Sequence, residues 1–84
     1  MSIQSMTQED SYKTRDIGEA GALILEKQRL ITIERREKIC WFVFEDKNTC
    51  RELSNKYFFG NLLVSAREYK ETLDRLKNRI FARN

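Results

Sequence analysis

Apolar and polar residues follow two periods along this chain, one helical and one of strand type, and their order predicts the elements. Ile17, Ala20, Gly21, Ile24 and Gln28 recur at helical spacing. Asp16 followed by Glu19 has the spacing of an N-cap and an N3 carboxylate that reaches back, so a first helix is predicted over 17–27. Leu30, Ile31 and Ile33, then residues 39–44, are β-branched and aromatic runs of strand length split by Arg35-Arg36-Glu37-Lys38, which predicts a β-hairpin. Its second strand is apolar on two faces, with Cys40, Phe42 and Phe44 on one and Ile39, Trp41 and Val43 on the other. One face is expected to meet helices. The other needs a cover, supplied by the last helix, the N-terminal leader or a second copy of the chain.

Asn48 is placed to cap a second helix, in which Cys50, Leu53 and Tyr57 share a stripe and Gly60 is the C′ residue that ends it. Leu62 and Val64 suggest a brief third strand at 62–64. Ser65 with Glu68 is a capping box that opens a long helix, with Ala66, Tyr69, Leu73, Leu76 and Ile80 three and four apart. Two heptads are too few for a coiled coil, so this helix is expected to pack on its own domain. Residues 1–12 show no period and read as a flexible leader, with Tyr12 anchoring its end. The predicted architecture is α+β, a single domain over 13–84 in the order α-β-β-α-α, with an antiparallel hairpin packed against helices.

Gly18 and Gly21 each cost a helix interior about 1 kcal/mol relative to Ala, so close packing on the sheet is expected to account for them. A G-x-x-G grip on nucleic-acid backbone lies in a loop between helices, whereas these glycines fall inside one.

With 84 residues the chain supports one core, and 40% apolar and 35% charged residues are a composition that folds. There is no His, and Cys40 and Cys50 form neither a C-x-x-C pair nor a four-ligand set, so no metal and no cofactor are expected. Both cysteines are expected to be reduced core thiols. The first ten residues have neither the basic nor the apolar region of a signal peptide, and no run approaches a membrane span, which predicts a cytoplasmic protein with no membrane partner. Without His, catalysis would need paired carboxylates, an activated Cys or a Lys base, and nothing brings these together. Asp16, Glu19, Glu45 and Asp46 read as caps and strand ends, and no phosphate-binding glycine motif occurs. The chain is not expected to be an enzyme.

Charge changes the picture more. The net charge is +3; residues 1–28 hold three basic and five acidic side chains, and residues 61–84 hold six and three. Lys77, Arg79 and Arg83 follow the last acid, Asp74, and Arg35, Arg36 and Lys38 surround the hairpin turn. Two basic surfaces result. They read either as solvated charge or as contacts to the phosphates of nucleic acid, with Trp41 or Tyr57 able to stack a base. No base-reading motif is present, so sequence-specific readout has no support. The alternative is a protein-interaction module, a homodimer or a subunit of a larger complex, docking through Ile39, Trp41 and Val43.

Three segments taken together, Tyr12-Lys13-Thr14-Arg15-Asp16-Ile17, Cys40-Trp41-Phe42-Val43-Phe44-Glu45-Asp46 and Val64-Ser65-Ala66-Arg67-Glu68-Tyr69 leading into Leu73, Leu76, Lys77 and Ile80, resemble a family of small bacterial and phage proteins known as a domain of unknown function. The resemblance covers about residues 12–81. It implies a biological context and carries no catalytic residues. Where that family tends to have a Gly in the hairpin turn and a Pro before the Ala of the last helix, this chain has Glu37 and Ser65.

Overall fold

The computed structural model describes residues 10–82. Strand β1 (Tyr12–Thr14) leads into α1 (Ile17–Leu25), β2 (Leu30–Arg36) and β3 (Ile39–Phe44) form the hairpin, and α2 (Lys47–Phe58) and α3 (Ala66–Ala82) follow. The fold is a small α+β domain with a three-stranded antiparallel sheet in the order β1-β3-β2.

The third strand is not at 62–64, which stays irregular; it is β1, paired through Tyr12 with Phe44 and Thr14 with Phe42. Three residues are too short to show a period, which is why this strand is hard to see in sequence. The expected leader lies outside the described residues over 1–9. Its last residues belong to the domain, because Ser11 is buried and Tyr12 opens β1.

Across the sheet, Tyr12 and Thr14 share a face with Phe42 and Phe44 and point at the helices. Leu30 and Ile33 reach that face although they are three residues apart, because an irregularity between Leu30 and Thr32 takes up one position at Ile31. Ile31 is left 43% exposed. The hairpin turns through Glu37 at φ 57°, a left-handed conformation that glycine adopts without penalty.

The core joins Ala20 and Leu23 of α1, Phe42 and Phe44 of β3, Cys50 of α2 and Leu76 of α3. Helix α1 is apolar over most of its surface because α2 and α3 flank it. The glycines allow that approach, but to helices, not to the sheet. A Cβ at Gly18 would lie 2.5 Å from the Tyr57 hydroxyl, and one at Gly21 would lie 2.8 Å from Leu73 Cδ2.

Helix α1 is capped as predicted at Asp16, whose carboxylate accepts the Glu19 N–H at 3.1 Å. Glu19 itself does not reach back. It is 3% exposed and takes hydroxyl hydrogens from Tyr12, at 2.5 Å, and Thr14, at 2.6 Å. Helix α2 is capped by Asp46, not by Asn48, with the carboxylate accepting from Thr49 N at 3.1 Å and Thr49 Oγ1 at 2.9 Å. A charged carboxylate one step before the helix satisfies an orphan N–H and meets the positive end of the helix dipole. Gly60 ends α2 at φ 77°, with Asn61 N–H on Lys56 O and Gly60 N–H on Tyr57 O, the two bonds of a Schellman turn.

Candidate functional site

The ends of the hairpin and of α3 are tied together by one contact. Arg35 donates from its guanidinium to the carbonyl oxygen of Ile80 at 2.7 Å, a cation on the carbonyl end of a helix. That contact brings two stretches of basic sequence to one end of the molecule and opens a groove between them.

The groove has a volume of about 450 Å³. Its cations are Lys38 from the hairpin turn, Lys77 from α3 and Arg15 from the link between β1 and α1, all exposed. Ile17, Ile39, Ile80 and Phe81 supply apolar walls, with Cys40 and Phe42 at the floor. No carboxylate lines it among the described residues. Three cations with no carboxylate on the walls between them make a positive cleft, which would attract phosphate.

The larger groove at the opposite end of the sheet differs in this respect. There Lys27, Arg29 and Lys47 are matched by Asp10, Glu45 and Asp46, so its walls have no net sign.

Of the six cations singled out in the sequence, Lys38 and Lys77 meet in the groove and Arg35 braces it. Arg79 lies along a different hollow with Arg75, Ile24 and Leu76. Arg36 projects from the far face of the sheet, 66% exposed and 3.8 Å from Glu34. Arg83 lies outside the described residues. Arg15 was missed, because a single Arg between Thr14 and Asp16 gives no signal until β1 sets it beside the hairpin.

The far face of the sheet is not a bare apolar surface. Ile39 is 38% exposed, Trp41 is half-buried and Val43 is only 5% exposed. Lys13 on β1 and Glu34 on β2 flank the central strand and pair at 3.2 Å. Their aliphatic stems, with Arg15 standing 6.0 Å over the Trp41 ring, supply a cover from edge-strand side chains. This is a fourth answer to what covers that face, absent from the three expected.

Neither aromatic expected to stack a base is free to do so. Trp41 sits under Arg15, and Tyr57 turns its hydroxyl toward Gly18 and Tyr69, where burial and the Tyr69 hydroxyl push it up to about 12. The aromatic ring exposed beside the cations is Phe81, at 69%.

Both cysteines are free. Cys50 is buried, and burial, with Asp46 and Glu19 nearby, pushes its thiol up to about 11. Cys40 is only half-buried, facing the groove, so one of the two is not a core thiol in the sense expected. Among the described residues no cluster of three His, Cys, Asp or Glu could hold a metal ion, and no helix is long and apolar enough to cross a membrane. No family model, curated protein or solved structure matches this chain.

Proposed function

We propose that this chain acts by binding and not by catalysis, as a nucleic-acid-associated accessory protein that holds phosphates in the groove between the hairpin turn and α3. The observation that carries this reading is the meeting of Arg15, Lys38 and Lys77, distant in sequence, around one cleft without a carboxylate on its walls. Lysine ammonium groups suit single phosphate oxygens, and the Arg15 guanidinium can bind two at once. Phe81 gives a base a flat apolar partner worth about 1–3 kcal/mol, which favours single strands, whose bases are free to leave the stack. The resemblance to small bacterial and phage proteins adds context to this reading and no chemistry.

Docking of a protein through Ile39, Trp41 and Val43 has less behind it, since Val43 is covered and Trp41 lies beneath Arg15.

The test is binding of labelled single-stranded and duplex oligonucleotides over a range of salt. Three phosphate contacts to a single strand give a slope of about −2 in log K against log salt, and Lys77→Ala lowers its magnitude by about 0.7. Lys38→Glu with Lys77→Glu is expected to weaken binding at least tenfold, while Arg36→Glu changes it little. No binding at low salt would overturn the proposal. Loss through Arg36→Glu with no effect of the lysine pair would move the site to the far face of the sheet.

A further inference from the structure

A smaller hollow, of about 220 Å³, lies between α3 and the start of β2 and shares no lining residue with the basic groove. One wall is a single stripe of α3, in which Thr72, Arg75, Leu76 and Arg79 follow one another at helical spacing. The other is formed by Ile24 near the end of α1, Gln28 in the link that follows and Leu30 at the start of β2. Gln28 is held in place, its amide donating to the Glu26 carbonyl oxygen at 3.2 Å and accepting the Cys50 thiol at 3.8 Å. The hollow thus combines apolar walls, from Ile24, Leu30 and Leu76, with two arginines.

These arginines are not engaged within the domain. No carboxylate lines the hollow among the described residues, and neither Arg75 nor Arg79 forms an ion pair with one of them. Asp74, the acid next to Arg75 in sequence, is taken by Lys70 at 3.1 Å. Thr72 is 3% exposed, and its hydroxyl forms no hydrogen bond with another described residue. A buried hydroxyl ordinarily has a partner, so one on the wall of a hollow points to an occupant.

We infer that this hollow binds a small aliphatic carboxylic acid, its carboxylate on Arg75, Arg79 and Thr72 and its hydrocarbon body on Ile24, Leu30 and Leu76. Flat guanidinium groups match the two oxygens of a carboxylate, and a hydroxyl can donate to the same group. Inorganic phosphate would leave the apolar wall uncovered, and a plain hydrocarbon would leave the cations and the hydroxyl without a partner. Size sets the limit, since the hollow has the liquid volume of roughly seven waters, room for an acid of about six carbons and too little for a nucleotide. The end of a peptide chain presents the same carboxylate, and the test separates the two.

That test is a titration of the isotope-labelled full chain with isocaproate, followed by backbone amide NMR shifts. Saturable shifts centred on Gln28, Leu30, Thr72 and Leu76 are expected, with the millimolar affinity usual for so small a ligand. Arg75→Gln with Arg79→Gln, both at exposed positions, is expected to weaken binding at least about tenfold, and Thr72→Val, which keeps the shape and removes the hydroxyl, severalfold. Acetate, lacking the body, and isocaproamide, lacking the charge, are each expected to bind about tenfold more weakly than isocaproate, or not at all. An absence of saturable shifts with isocaproate overturns the inference, as does unchanged affinity in the double arginine variant or equal binding of inorganic phosphate. An acetylated peptide ending in Leu that binds more tightly than isocaproate would overturn the assignment to a free acid.

Discussion

Glu19 is the residue whose role differs most from its reading in sequence. As an N3 carboxylate it would sit at the surface, but β1 runs beside α1 and hands it two hydroxyls, from Tyr12 and Thr14, with Ser54 Oγ of α2 3.0 Å from Tyr12 Oη. The carboxylate thereby joins β1, α1 and α2. Glu19→Ala leaves the Thr14 hydroxyl without its acceptor and Tyr12 with Ser54 Oγ alone, and is expected to cost about 2 kcal/mol in urea denaturation, and Glu19→Gln, which keeps one acceptor, costs less. A loss below about 0.5 kcal/mol for Glu19→Ala would contradict this role.

The same neighbourhood sets a pH dependence. Burial raises Tyr12 above its usual 10.0, with the Glu19 bond second, and Cys50 and Tyr57 stand at about 11 and about 12. Each is neutral when protonated, and each keeps its proton longer folded than unfolded. Their contribution is therefore complete below pH 9, the thiol's usual value being 9.0, and is lost as pH rises toward about 12. Urea midpoints should be flat from neutral pH to pH 9 and fall above it; a midpoint that rises there would contradict these directions.

At the scale of elements, most of the order was legible. The 3.6-residue period of α3, the cap at Asp16, the apolar runs of β2 and β3 and the stop at Gly60 each follow from local chemistry, and each stands where the pattern placed it. What escaped was set by partners far along the chain. β1 exists because β3 presents an edge to it, and the α2 cap moved from Asn48 to Asp46 because the chain leaves β3 directly into the helix. Asp46→Ala is therefore expected to lower the urea unfolding midpoint clearly and Asn48→Ala to leave it nearly unchanged. Equal costs would mean that the cap is shared.

For the whole molecule, the sequence placed six cations in two groups, and folding sorted them differently. Lys38 and Lys77 meet, Arg35 becomes a brace on the α3 terminus, Arg36 and Arg79 point elsewhere, and Arg15 joins from the other side of the sheet. Charge counting along a chain cannot resolve this, because which cations share a cleft depends on the antiparallel order β1-β3-β2 and on the Arg35 contact. For the proposed binding of nucleic acid in this cleft Cys40 is a built-in reporter, half-buried at the groove while Cys50 is fully covered. The most direct measurement is the rate of Cys40 alkylation by iodoacetamide with and without a short single-stranded oligonucleotide at low salt. A severalfold slowing that high salt reverses is the predicted result, and a rate unchanged at saturating oligonucleotide would contradict it.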